Sequence, residues 1–363
     1  MGQIQRSERD TFYMRRCLFL AKKAMGYTAP NPMVGCVIVY NDKIIGEGWH
    51  QKAGSAHAEI NAIAAVKDKS LLRKSTLYVN LEPCSHFGKT PPCADALIQH
   101  EIPRVVIATL DPNSKVAGKG VASLRAHGCE VQTGVLNKEA LFLNRRFFCF
   151  HQNKRPYVLL KWAQTKDGFI SPLAATKKDK SVFWISNLYA QQKAHQWRSE
   201  QAAILVGVQT VVDDNPQLNL RHWSGPAPLR CVIDPNNRIP NDSKLLTDTA
   251  AVLIFNATKS QTLGNKTWVC LADFSIPQLL NYLYKKEIQS VLVEGGQKTL
   301  QHFIDQQLWD EARVFESNTL LKIGVKAPQL LQPAVKTIHV DSDRLSFFNP
   351  TAQTLIEVPP DSA

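Results

Sequence analysis

His57, Glu59, Cys84 and Cys93 are the residues of this 363-residue chain whose types and spacing could do chemistry. They stand in His57-Ala58-Glu59, in Pro83-Cys84 and at a second cysteine further on. One imidazole and two thiolates are ligands that Zn²⁺ prefers. Three protein ligands leave the fourth tetrahedral position to a water, which is the catalytic rather than the structural arrangement. Water on such a metal loses its proton near neutral pH, and a carboxylate two residues from the histidine is placed to collect that proton and return it to a leaving group. A structural zinc would need a fourth protein ligand, for which His86 is the local candidate.

The elements that must position these groups are legible as an alternation. A helix is expected over 10–25, then a hairpin of 34–40 and 43–49 turning at Asn41-Asp42. A helix over 57–67 follows, then a strand at 76–81, a helix after Cys93, a strand at 104–110 and a helix into Ala126. The strand 130–133 and a helix over 138–150 close an α/β layer around a partly parallel sheet. His57 then opens one helix and the cysteines flank the start of the next, so helix N-termini would help keep the thiolates ionised. The polar run 151–155 before Pro156 marks a boundary, giving domains 1–150 and 151–363. Beyond it, strands are expected at 158–162, 203–208, 229–233, 251–255 and 290–293, with helices at 188–197 and 277–286.

Composition narrows the class. Hydrophobic residues make up 44% and charged residues 20%, as in folded globular proteins. The absence of an apolar run long enough to span a bilayer, and a polar start without a signal-peptide core, lead to an expected cytoplasmic location. The net charge of +12 is spread over both parts, +8 in 1–150 and +4 beyond. Without a block of consecutive basic residues, it suits phosphorylated metabolites as well as nucleic acid. The remaining cysteines, Cys17, Cys36, Cys129, Cys149, Cys231 and Cys270, are expected as reduced, buried thiols. In the second part no Gly-x-Gly-x-x-Gly run follows a strand, which gives no support to a Rossmann dinucleotide site. Val291-Leu292-Val293-Glu294-Gly295-Gly296 reads instead as a buried strand, a two-glycine turn and a helix, able to bring backbone N–H groups to a phosphate.

Histidine-x-glutamate with proline-cysteine is the signature of zinc deaminases, in which two residues separate the cysteines. Here eight do. With that spacing the sequence resembles the bifunctional deaminase–reductase family of riboflavin biosynthesis along nearly its whole length. The resemblance is carried by residues 31–37, Gly48-Trp49-His50, Ala53-Gly54, His57-Ala58-Glu59, the stretch 81–93 (LEPCSHFGKTPPC) and Asp111-Pro112-Asn113. It implies zinc on His57, Cys84 and Cys93, Glu59 as proton shuttle, and Asn31, His50, His86 and Lys89 as ligands of a diaminopyrimidinone carrying ribosylamine 5-phosphate. Residues 161–168, Trp184-Ile185-Ser186, 207–214 and Glu294-Gly295-Gly296 resemble the reductase half. The resemblance there implies NADPH contacts from Gln164, Trp184, Thr210, Asp214, Gly295 and Gly296. It also implies substrate contacts from Arg198, Leu218, Arg221 and Glu294, the arginine forks suiting a phosphate.

The expected architecture is therefore α/β throughout, a cytidine-deaminase-like α/β/α zinc domain followed by a dihydrofolate-reductase-like α/β domain. Cofactors are Zn²⁺ and NADPH, and the partner is a small phosphorylated pyrimidine. Neither nucleic acid nor membrane is expected, and the chain is expected to be a homo-oligomer. The competing reading is a zinc deaminase of nucleic-acid bases with a basic accessory domain. A third, a zinc-stabilised regulator, would make Glu59 incidental.

Overall fold

Gly35–Tyr40 (β1) is apolar at nearly every position, the pattern of a strand covered on both faces. In the computed structural model, which describes residues 3–85, 91–112, 117–173 and 183–350, that is what happens. The first of two units, residues 1–153, contains helices α1 (Gln3–Lys22), α2 (Ala58–Ala65), α3 (Cys93–Gln99), α4 (Lys119–Ala126), α5 (Asn137–Leu143) and α6 (Arg145–Asn153). With β2 (Lys43–Trp49), β3 (Thr76–Leu81), β4 (Arg104–Thr109) and β5 (Glu130–Thr133), β1 forms a sheet of order β2-β1-β3-β4-β5. The β1–β2 and β1–β3 pairs are antiparallel, and β3, β4 and β5 run parallel. Alternate residues sort to opposite faces. Cys36 and Ile38 pack with Ala58, Ala62, Ala94 and Leu97, while Val37 and Val39 pack with Tyr13, Met14 and Cys17 of α1.

The hairpin turns where expected, with Asn41 and Asp42 both in the left-handed region at φ +47° and +59°. Two expectations need correction. The single helix over 138–150 is two, broken at Asn144, whose side chain is taken up by the backbone of Met33. The limit set at 150/151 moves to 153/154, still inside the polar run 151–155: α6 continues to Asn153, and Lys154, at φ +54°, turns the chain into the second unit, 154–363.

That unit is built on β6 (Tyr157–Gln164), β7 (Phe169–Ser171), β8 (Ala203–Gly207), β9 (Leu229–Ile233), β10 (Val252–Asn256), β11 (Gln261–Leu263) and β12 (Lys266–Cys270). It continues with β13 (Ser290–Val293), β14 (Glu311–Glu316), β15 (Val325–Lys326), β16 (Lys336–Val340) and β17 (Asp343–Phe348). Its helices are α7 (Leu188–Ser199), α8 (Val208–Asp214), α9 (Lys244–Thr247), α10 (Ile276–Lys285) and α11 (Gln297–Asp305). Ten strands run in the order β11-β12-β10-β9-β8-β13-β6-β14-β17-β16, parallel from β12 to β14. Leu279 and Leu283 of α10 and Leu300 and Phe303 of α11 pack on one face, and Ala190 and Trp197 of α7 on Phe315 and Leu345 of the other. Because β13 lies between β8 and β6, the strand order reverses there. The carboxyl ends of β6, β8 and β13 form the crevice in which such sheets bind ligands.

None of the eight cysteines is in a disulfide. Cys17, Cys36, Cys149 and Cys231 are buried as expected, but Cys129 is half-buried and Cys270 exposed. No helix among the described residues is long and apolar enough to cross a membrane.

Candidate functional site

His57 caps α2 with extended backbone, and Glu59 lies in the helix's first turn, buried to 3% exposure. The helix is pressed close to β2: a Cβ on Gly48 would lie 2.6 Å from the Ala62 nitrogen, so only glycine admits this approach. Cys84 follows β3, and Cys93 is the first residue of α3. The Cys93 N–H donates to Cys84 Sγ at 3.2 Å and the Ala94 N–H to the Cys84 carbonyl at 3.1 Å, so the first N–H groups of α3 face the Cys84 thiol and carbonyl. His57 Nδ1 is 3.2 Å from Cys93 Sγ and 3.6 Å from Cys84 Sγ, and the three ligand atoms lie within 4.8 Å of one another. Tetrahedral zinc, with bonds of about 2.0–2.3 Å, separates its ligands by about 3.5–3.8 Å. The three residues fit that ion.

The electrostatics suit it as well. Hydrogen bonding from Cys93, and then from His57, holds the Cys84 thiol far below the usual thiol range, while Cys93 keeps the proton of the pair and is pushed up. A metal cation displaces such a proton. Burial, reinforced by the Cys84 charge, lifts the Glu59 carboxyl to about 7.

Asn31 and His50 are brought to the same place. The His50 and His57 rings meet edge to face at 5.4 Å. His50 Nδ1 lies 3.1 Å from the Ala56 carbonyl, so it carries the proton, and Nε2 accepts from Asn31 Nδ2 at 3.0 Å. Two buried asparagines fix the backbone beyond Asn31. Asn144 accepts from the Met33 N–H (2.8 Å) and donates to the Met33 carbonyl (2.9 Å); Asn80 donates to that same carbonyl (3.1 Å) and accepts from the Gly35 N–H (2.7 Å). Glu82, buried beside Pro83, accepts from the N–H groups of Asp111 (3.2 Å), Gly118 (2.9 Å) and Val121 (3.2 Å). His86 and Lys89 lie outside the described residues.

In the second unit Gln164, Thr210, Glu294, Gly295 and Gly296 lie at or just beyond the carboxyl ends of β6, β8 and β13. Gln164 ends β6, accepting from Trp162 Nε1 at 2.9 Å. Gly295 and Gly296 follow β13, with Gly296 capping α11. A Cβ on Gly296 would stand 3.8 Å from Thr210 Oγ1, so that turn and α8 are neighbours. Asp214 ends α8, and Trp184 is 56% exposed. Glu294 binds Arg198 bidentately, accepting from Nε at 3.1 Å and Nη2 at 2.6 Å, and Arg198 Nη1 donates to the Asn219 carbonyl at 3.1 Å. Most of the Arg198 fork is therefore engaged within the protein. Arg221 is exposed and donates to Asn219 Oδ1 at 3.0 Å; Leu218 is buried with φ +52°. Burial works to raise the Glu294 carboxyl, but the charges of Arg198 and Lys161 and the Arg198 hydrogen bonds outweigh it and hold it at about 2.

Sequence reasoning assigned no role to Lys161, Asn80, Glu82, Asn144 or His195. Burial pushes the Lys161 ammonium below its ordinary range, against the pull of Glu294. A signal existed for some of these: lysine and asparagine stand inside the apolar strand runs 157–164 and 76–81. A buried polar residue there needs partners.

A metal-ligand trio with a buried carboxylate on one α/β unit, and a glycine-turn crevice on another, define a two-headed enzyme, a zinc hydrolase joined to a dinucleotide-dependent reductase. Two family descriptions match: "Cytidine and deoxycytidylate deaminase zinc-binding region" over residues 7–109, and "RibD C-terminal domain" over residues 156–330. The riboflavin biosynthesis protein RibD of Aquifex aeolicus is 41% identical over 330 residues, 89% of this chain and 91% of its own length. That of Actinobacillus pleuropneumoniae is 43% identical over 299 residues, covering 79% and 78%. Among solved structures, the Thermotoga maritima diaminohydroxyphosphoribosylaminopyrimidine deaminase/5-amino-6-(5-phosphoribosylamino)uracil reductase superposes with a TM-score of 0.86 at 36% identity, over 95% of this chain and 99% of that one. Acinetobacter baumannii RibD gives 0.86 at 33% identity, with the same coverage. The chain belongs to the RibD family of riboflavin biosynthesis. Its first unit is a zinc-dependent deaminase of cytidine-deaminase fold, and its second an NADPH-dependent reductase of dihydrofolate-reductase-like fold.

Proposed function

We propose that His57, Cys84 and Cys93 hold the zinc and that Glu59 moves the protons in hydrolysis of 2,5-diamino-6-(5-phosphoribosylamino)pyrimidin-4(3H)-one to 5-amino-6-(5-phosphoribosylamino)uracil. The observation that carries this is the convergence of one imidazole nitrogen and two sulfurs within 4.8 Å, beside a buried carboxyl lifted to about 7. Zinc bound there supplies a Lewis-acidic centre at which water becomes nucleophilic near neutral pH. As water adds to C2, Glu59 passes one proton from it to the ring nitrogen that receives the C=N electron pair and then the remaining hydroxyl proton to the 2-amino nitrogen, so that the C2–N bond breaks to release ammonia and C2 keeps the oxygen as the uracil carbonyl. Asn31 is oriented for the pyrimidine: its Nδ2 is bonded to His50 Nε2, so its Oδ1 is the atom left to accept an N–H of the base. His50, His86 and Lys89 complete the substrate set.

In the reductase, Gln164, Trp184, Thr210, Asp214, Gly295 and Gly296 would hold the dinucleotide, the two glycines admitting its phosphates to the N-terminus of α11. NADPH supplies the hydride that reaches C1 of the ribosyl group. A proton is taken up by the ribose oxygen as the C1–O bond opens. Arg221, Leu218 and the Arg198–Glu294 pair face the substrate, with the exposed Arg221 as principal phosphate ligand. The partner is a free phosphorylated pyrimidine rather than nucleic acid, supported by the absence of a consecutive basic tract. We also take the chain to be a cytoplasmic homo-oligomer.

Metal analysis of Cys84→Ser tests the centre. The variant should lose most of its zinc and its ammonia release together. Full zinc with full deamination would remove Cys84 from the site.

A further inference from the structure

Residues 217–221 carry Arg221 out between α8 and β9 along an awkward path, since Leu218 is a residue with a Cβ held at φ +52°. The backbone is fastened at three successive points. Arg230 Nη1 donates to the Gln217 carbonyl at 3.2 Å, Arg198 Nη1 donates to the Asn219 carbonyl at 3.1 Å, and the Arg221 N–H donates to His195 Nδ1 at 3.1 Å. Two of these anchors also serve carboxylates: Arg230 is paired with Asp248, and Arg198 with Glu294. His195 is different. It lies on the inner face of α7 at 3% exposure, with the His222 ring edge-on at 4.9 Å.

We propose that His195 is a positioning residue of the reductase's substrate site, its Nδ1 lone pair fixing the Arg221 backbone so that the Arg221 guanidinium is aimed at the substrate phosphate. This rests on the reading of Arg221 as a phosphate ligand. An uncharged acceptor is what such a place requires. A carboxylate there would pair with the neighbouring guanidiniums and cancel the charge a phosphate needs, and an ammonium could not accept the Arg221 N–H. Imidazole accepts only while neutral. Burial first, and then the charges of Arg198 and Arg221, keep it so by lowering its pKa to about 4.

The test uses the full chain and three variants: His195→Leu, which removes the acceptor; His195→Asn, whose Oδ1 can stand near the place of Nδ1; and Arg221→Ala. Three quantities are read: exchange of the Arg221 backbone amide, kcat/KM for the reductase substrate with and without its phosphate, and KM for NADPH. His195→Leu should speed exchange at Arg221 by about tenfold and cut the preference for the phosphorylated substrate by about fivefold, with KM for NADPH and the deaminase rate unchanged. His195→Asn should stay within about twofold of the parent in all of these. If the leucine variant does not fold, His195→Phe, which keeps the ring volume, carries the same expectation. Exchange at the parent rate in the leucine or phenylalanine variant would overturn the proposal. So would faster exchange with the phosphate preference intact where Arg221→Ala has lost it. If Arg221→Ala itself keeps the preference, the phosphate reading of Arg221 fails, and the amide exchange alone decides whether His195 is the anchor.

Discussion

At the scale of single residues, Glu59 and Glu294 show two carboxyls driven in opposite directions by their surroundings. Glu59 is lifted by burial and the neighbouring Cys84 charge, and its place in the first turn of α2, two residues from His57, suits a group that must both take and give a proton. Replacing it with glutamine keeps shape and zinc ligands but removes that capacity. Glu59→Gln should retain zinc, lose deamination by at least about 10²-fold, and oxidise NADPH at the parent rate. Ammonia release at the parent rate would mean that another group carries the proton. Glu294 is held at about 2 by Arg198 and Lys161. A carboxyl whose folded pKa is depressed adds stability that is complete above its unfolded value near 4.3 and is lost as pH falls through the folded one, so this contribution fades between about pH 4 and pH 2. Arg198→Ala removes the largest charge holding it down. The Glu294 pKa should rise, the acid limb of the reductase pH profile should move to higher pH, and kcat/KM for the substrate should fall by about 1.5–3 kcal/mol. A profile unmoved on its acid side would show that Glu294 does not titrate in the reaction.

Elements set these residues in place through buried polar contacts more than through caps. Asn144 closes α5 and clamps Met33, two residues beyond Asn31. Asn144→Leu leaves the Met33 N–H buried without its acceptor and should cost the first unit about 1–3 kcal/mol, read as a lowered unfolding midpoint by calorimetry. An unchanged midpoint would mean that the Met33 backbone finds other partners. The same residue explains what was hidden in the sequence. An asparagine inside the apolar-periodic run 138–150 reads as a solvent-facing helical position, because its partner is more than a hundred residues away. Strands covered on both faces, β1 and β4 among them, were legible because burial makes their runs continuously apolar. β14 was not: Glu311 and Arg313 interrupt its pattern, and their mutual hydrogen bond at 2.6 Å, which makes the charges tolerable inside a sheet, leaves no trace in the local sequence. Among the proposed site residues, His57, Cys84 and Cys93 stand out in the sequence by residue type and spacing, and their ligand atoms meet within 4.8 Å. The Arg198–Glu294 pair does not stand out, since two residues 96 apart meet only through the order of the sheet.

The whole molecule carries two chemistries on one chain, and the central claim is that they are separate. We propose that the metal is held by His57, Cys84 and Cys93 of the first unit, 1–153, and the dinucleotide by residues of the second, 154–363. The most direct measurement gives the purified protein the phosphoribosylated diaminopyrimidinone, first without and then with NADPH, following ammonia and the absorbance of NADPH separately. A parallel sample is stripped of zinc by a chelator and supplied with the already deaminated substrate. One ammonia should be released per substrate without NADPH and one NADPH oxidised per substrate when the cofactor is added, while the stripped protein should release no ammonia yet oxidise NADPH at the untreated rate. Ammonia release that needs NADPH, or a reductase that dies with the zinc, would contradict it.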